Sequence, residues 1–231
     1  MSTLTVENTR TEAAPVVVVP AAVLRELAAV TVAAGKDDTL PTLTGVRIEW
    51  EPGLIRMVAT DRFRLAVTEW RGDIDRAGDT GPVQGAALIP AKEMSTYVKG
   101  LPKPGRGGFD FPVTLTLDVI ENGHSKGHAV TFTCTTYDGQ QVRRVVGLDG
   151  EFPKWASLFP DEATLAASKG VCTVAYNPHY LADLAKMPQD RKGDPVRISF
   201  TETHRPAVCQ GKGSHVEWKY LLMPVRTGGG A

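Results

Sequence analysis

The side chains of this 231-residue chain that could do chemistry are few, and their spacing argues against most of it. The histidines at 124, 128, 179, 204 and 215 form no HExxH or HxH pair. Asp37-Asp38 and Asp61 could attract a cation, but no further carboxylates recur at ligand spacing. There is no Walker loop. The glycines at 105, 107 and 108 lack the Lys-Ser/Thr that holds a phosphate. Cys134, Cys172 and Cys209 are odd in number, have no CxxC spacing, and sit among strand-forming residues as small buried hydrophobes do. The expectation is a non-enzyme without metal, cofactor or disulfide, kept in a reducing interior.

What remains is recognition by surface. Lys+Arg and Asp+Glu both number 26, so the formal net charge is zero. A protein that holds nucleic acid by bulk charge is basic, so any DNA contact must come from a local basic surface or be weak by design. Hydrophobic residues at 42% and charged residues at 23% are ordinary for a folded protein of one large or two small domains. The apolar run 16–19 is too short for a signal region or a membrane span, which gives a cytoplasmic expectation with no membrane partner.

The elements that position any surface follow from periodicity. Residues 16–19 read as a short strand, and Pro20 opens a helix to about Ala34 with Val23, Leu27, Val30 and Ala34 on one face. Strands are predicted at 43–51 and 54–70, joined by Pro52-Gly53. The order then repeats. A strand at 86–89 precedes a helix from Pro90 with Met94, Tyr97, Val98 and Leu101 as its apolar face. Alternating strands follow at 113–119 and 130–134, with Asp138-Gly139 as a tight turn into 140–148. A third pass starts with a strand at 171–176. Asn177 and Pro178 open a helix carrying Tyr180, Leu181, Leu184 and Met187, followed by strands at 196–200 and 218–225. Three βαβββ passes suggest an α+β fold, with helices on one face of antiparallel sheets. Residues 1–14 and 227–231 read as tails.

Four segments resemble the bacterial DNA polymerase III beta subunit, the DNA sliding clamp family. Leu40-Pro41-Thr42-Leu43-Thr44-Gly45-Val46 and Ala59-Thr60-Asp61-Arg62-Phe63-Arg64-Leu65-Ala66 are similar to the family's "LPxLxGV … ATDxxRLA" strand pair. Residues 149–155, Asp-Gly-Glu-Phe-Pro-Lys-Trp, are similar to "DGxFPDY". Residues 176–184 are similar to "FNxxYLxDxL", and Met223-Pro224-Val225-Arg226 to the "MPMR" ending. Any one is weak, but four in the family's order are specific. By this likeness 15–160 is a complete two-module clamp domain, and 171–226 is half of another. The chain then shows three modules where a standard clamp has six, a reduced form suited to a phage or other mobile element.

The resemblance implies a function in DNA replication: a processivity factor that rings duplex DNA and tethers a DNA polymerase and a clamp loader through their short peptide motifs. Helices would line the pore and meet phosphates without reading bases. The residues so placed are Arg25, Lys36, Lys92, Lys99, Lys103, Arg106, Lys186, Arg191 and Lys192; each alone fits a solvated helix face equally well. The implied peptide pocket takes Thr60, Arg62, Phe63, Arg64 and Leu65; Pro153 and Leu158; Asn177 and Tyr180; His204 and Pro206; and Met223, Pro224, Val225 and Arg226. For Leu65 and Leu158 a core position is the simpler reading. Arginine is expected as a rim donor, and Arg64 and Met223 as central anchors. The family's Gly-His or Gly-Tyr is Arg62-Phe63 here, and its Asp-Tyr is Lys154-Trp155, so motif preference is expected to differ. Twelve modules make a family ring, so three per chain imply a tetramer, with a trimer or dimer as alternatives. Third modules would pair, covering Leu181, Leu184 and Met187. The alternative function is a clamp-like adaptor or inhibitor that takes the same partners, or docks on a host clamp, without encircling DNA.

Overall fold

The computed structural model describes residues 16–72, 84–104, 110–122, 125–161, 163–164, 174–202 and 204–225. The expected tails, Gly105–Gly108 with Arg106, Cys172, most of the 71–85 loop, and Arg226 lie outside them. Strands β1 (Val16–Pro20), β6 (Pro112–Asn122), β7 (Ser125–Thr136) and β8 (Gly139–Val146) form one antiparallel sheet in the order β1-β6-β7-β8. The other sheet has seven strands in the order β5-β2-β3-β4-β11-β10-β9. These are β2 (Gly45–Glu51), β3 (Leu54–Thr60), β4 (Arg64–Arg71), β5 (Gly85–Pro90), β9 (Arg197–Ser199), β10 (Ala207–Lys212) and β11 (Glu217–Leu222). In the first two modules the opening strand crosses to the other module's sheet, β1 to β6 and β5 to β2. The third module joins the first by pairing β11 with β4.

Helix α1 (Ala21–Leu27) continues as a 3-10 segment, Ala28–Ala33, and α2 (Ala91–Gly100) follows β5. Leu24, Leu27, Val30 and Met94 are fully buried against Ile48, Ile55, Met57 and Phe132 in a core shared by both sheets. Each such large side chain contributes on the order of 1.5–3 kcal/mol by leaving water. Prolines start both helices and supply no side-chain cap. For α1 the cap comes from afar: the Ala22 amide donates to Asp110 Oδ2 at 2.7 Å and the Ala21 amide to the Phe111 carbonyl at 2.9 Å. The helix of the third module, α3 (Pro178–Asp183), is capped by its neighbour, since Asn177 Oδ1 accepts from the His179 amide at 2.9 Å.

Three expectations are corrected. The strand predicted over 54–70 is broken after Thr60. Asp61 Oδ1 accepts from the Phe63 and Arg64 amides at 3.0 and 3.1 Å, and Arg62 takes a left-handed φ of 76°. Within the strand predicted at 171–176, the described residues 174–176 are not a strand. The face of Leu181, Leu184 and Met187 is not left unpartnered: Leu184 and Met187 are buried in the main core, and only Leu181 is exposed. Cys134 and Cys209 are buried free thiols, and burial pushes the Cys209 thiol up to about 12. No helix among the described residues is long and apolar enough to cross a membrane.

Candidate functional site: two hollows at the joint of the first and third modules

The turn between β3 and β4 is the centre of the site. Thr60, 6% exposed, donates its hydroxyl to the Arg64 carbonyl at 2.7 Å, closing the turn that Asp61 organises. Arg64 then reaches the third module. Its Nε donates to Asp61 Oδ2 at 3.0 Å, its NH1 pairs with Asp183, and its guanidinium lies over the Tyr180 ring, 4.7 Å from the centroid. Arg64 and Asp183 are about nine-tenths buried. So Arg64 is a latch between modules, mostly buried and paired within the chain. Lys186 Nζ donates to the other Asp183 oxygen at 2.5 Å, so that carboxylate is held by two cations.

On one side of this latch is a hollow of about 520 Å³, lined by Ala34, Leu40, Leu43, Arg62, Phe63 and Tyr180 among others. Phe63 is 55% exposed beside it, because the left-handed Arg62 turns the chain outward. Asp37 is also in the lining; the Thr39 hydroxyl and amide hold its carboxyl below the usual carboxylate range. The chain after β11 comes in beside Phe63: the Met223 amide donates to the Phe63 carbonyl at 3.2 Å, and the Val225 amide to the Ala175 carbonyl at 2.8 Å. Met223 and Val225 keep large exposed apolar surfaces.

The structure thus brings together Thr60, Arg62, Phe63, Arg64, Tyr180 and Met223 from the expected pocket. Pro224 and Val225 continue the same segment, and Pro206 directly precedes Ala207, which pairs with Leu222. Asn177 is engaged as a helix cap. Leu65 is buried in a second core with Val67, Leu88, Phe152, Val208 and Leu221, so it supports the joint from beneath. Pro153 and Leu158 lie on the segment that covers this second core, and Leu158 is exposed rather than core. His204 is exposed and 2.9 Å from Glu202. Asp61 and Asp183, missed as site residues, set the geometry. Both stood in the sequence within the segments that resemble "ATDxxRLA" and "FNxxYLxDxL".

Across the latch lies a second, open hollow of about 1210 Å³. Lys36, Lys92, Lys99 and Lys186 all line it, brought there by the end of the first helical stretch, by α2 and by the turn after α3. All four are exposed. Glu93, the acid of α2, is matched by Arg143 at 2.5 Å. Other members of the expected basic set are elsewhere. Arg25 donates to the carbonyls of Leu101 and Pro102, tying α1 to the end of α2. Lys103, Arg191 and Lys192 are exposed but do not line the hollow.

Two antiparallel sheets with few helices, linked between modules by exchanged strands, fit an α+β clamp fold. Solved structures share it: the DNA polymerase sliding clamp of Bacillus subtilis superposes with a TM-score of 0.66 at 20% identity, covering 98% of this chain and 67% of that one. A profile of the DNA polymerase III beta subunit, central domain, matches residues 17–154. The beta sliding clamp of Micrococcus luteus is 34% identical over 184 residues, 79% of this chain and 51% of that protein. The beta sliding clamp of Streptomyces coelicolor is 27% identical across 87% of this chain and 63% of its own length. The chain belongs to the DNA polymerase III beta-subunit family of sliding clamps. It spans about half to two thirds of the length of the curated relatives it matches.

Proposed function

We propose that this protein is a reduced sliding clamp that holds duplex DNA loosely on its lysine-lined hollow while the hollow at Phe63 captures short peptides of a DNA polymerase and a clamp loader. The observation that carries this reading is the convergence of Lys36, Lys92, Lys99 and Lys186 from three separate helical segments on one open surface. Exposed ammonium groups on flexible stems meet phosphates without reading bases. On this reading, 15–160 acts as a two-module clamp domain and 171–226 as a half domain, and copies associate into a ring. The apolar surfaces of Phe63, Met223 and Val225 are suited to anchoring a linear motif, and methionine adapts to its shape.

The test is topological. Protein loaded on a closed circular duplex stays bound at moderate salt and is released when the circle is cut. Retention equal on circular and linear DNA contradicts encirclement. Peptide capture without any such retention makes the chain an adaptor for clamp partners.

A further inference from the structure

The turn after β3 carries one cation that the fold does not use. Arg62 is exposed and lines the hollow of about 520 Å³ beside Phe63. Its backbone stands at φ 76°, the one non-glycine among the described residues with a left-handed φ. Glycine takes that conformation freely, whereas a side chain there is strained. The turn does not need this side chain. Asp61 and Thr60 hold it, and Arg62 contributes only its amide, which donates to the Thr60 hydroxyl oxygen at 3.3 Å. Among the described residues the Arg62 guanidinium makes no hydrogen bond and no ion pair.

The charge around this hollow is not balanced. Of its acids, Asp61 is taken up by Arg64 and by two amides of the turn. Arg64 in turn is engaged by Asp61 and Asp183. That leaves Asp37 against two unpaired cations in the lining, Arg62 and Lys36. Asp37 is already held by the Thr39 hydroxyl and amide at 2.6 and 3.0 Å, and it feels Arg62 only through space. One acid thus faces two cations, and the excess charge is positive.

We infer that Arg62 is a specificity residue of this hollow, and that it selects partner peptides with an acidic side chain next to the apolar residue seated on Phe63. The inference rests on the peptide capture proposed above and names the chemistry of the peptide. Arg62 and Phe63 are consecutive, about 3.8 Å apart at Cα. An extended peptide advances about 3.3 Å per residue, so an anchor on Phe63 brings its neighbours in the peptide within reach of the guanidinium. The planar guanidinium takes a carboxylate by two parallel N–H donors, and such a pair is geometrically selective. A residue that is strained, exposed and unpartnered in the free protein is accounted for when its partner arrives with the ligand. A duplex phosphate is the other anion at hand, but Arg62 does not line the lysine hollow.

The test is titration calorimetry of the full chain with two amidated peptides that differ in one residue, one with the core Asp-Leu-Phe and one with Asn-Leu-Phe. Amidation removes the terminal carboxylate, so only the side chains are compared. The expected result is a preference of about three- to fivefold for the Asp peptide in the parent chain, screened away at high salt. In Arg62→Gly the ratio should fall to about one, and Arg62→Lys should keep part of it. A purely structural role for Arg62 would change both peptides alike and leave the ratio in place. Equal affinity of the parent for both peptides, or a ratio that persists in Arg62→Gly, overturns the inference while peptide capture stands. If neither peptide binds the parent, the capture reading fails and the inference with it. A ratio unchanged in Arg62→Gly, with a shallower salt slope for duplex binding, overturns the inference by assigning the arginine to DNA.

Discussion

The two hollows share a wall of Ala34, Gly35, Lys36, Arg64 and Tyr180, yet they are built in opposite ways. The basic hollow presents lysines on long stems, from segments far apart in sequence, and Lys36, Lys92 and Lys99 make no ion pair among the described residues. The hollow at Phe63 is rigid: Asp61 fixes the turn, Thr60 closes it, and Arg64 is held by Asp61, Asp183 and Tyr180. On the proposed function, the difference matches what each contact would demand. A sliding contact should hold DNA without settling at one place, and mobile charges do this at little ordering cost. A captured peptide needs a surface shaped beforehand, so that binding energy is not lost in ordering the site.

Removing the latch is the most forceful way to break this comparison. Arg64→Ala leaves the buried Asp183 carboxylate with Lys186 alone, and is expected to lower stability by about 2–4 kcal/mol in chemical denaturation. In a double-mutant cycle, adding Asp183→Asn should cost much less than it does alone. A parent-like midpoint for Arg64→Ala would show that the wall is not held by this pair. Next in size is Met223→Ala, which should weaken binding of a clamp-binding peptide by about 1–2 kcal/mol, read by titration calorimetry. Its folding stability should move little, because Met223 is 41% exposed. Undiminished binding removes Met223 from the pocket.

A smaller effect sharpens the account of the turn. Arg62 stands at φ 76°, which glycine tolerates at no steric cost. Arg62→Gly should raise stability by about 0.5–1 kcal/mol and leave the salt dependence of DNA binding unchanged. A loss of stability would mean that the Arg62 side chain holds the turn. The smallest expected signal is at Cys209. Burial raises its pKa to about 12, so the folded state favours the thiol. That contribution is complete below the ordinary thiol pKa and is lost as pH rises from there through about 12. At neutral pH Cys209 should resist maleimide until the protein unfolds, as read by mass spectrometry of its peptide. Rapid native labelling contradicts this.

Much of this was legible in the chain because it is local. Two recurrences of strand, proline-started helix and strands, with a third helix followed by strands, gave the α+β character, and the residues around Thr60 and Met223 pointed to one place. What was hidden depends on distant partners. The break at Asp61 was masked by apolar residues on both sides. Asp110 caps a helix 88 residues before it, which no local pattern announces. Leu184 and Met187 looked unpartnered because their core neighbours come from other modules. Arg25 looked like a DNA-facing cation until the carbonyls of Leu101 and Pro102 accounted for it.

The salt dependence of duplex binding tests the division of labour most directly. The parent chain and a variant with Lys36, Lys92 and Lys99 each changed to Ala are titrated with two duplexes of unrelated sequence across a range of salt. The account predicts equal affinity for both duplexes. It also predicts a slope of log K against log salt that falls by about 0.9 for each lysine removed that meets a phosphate. A sequence preference, or a slope unchanged by all three substitutions, would contradict it.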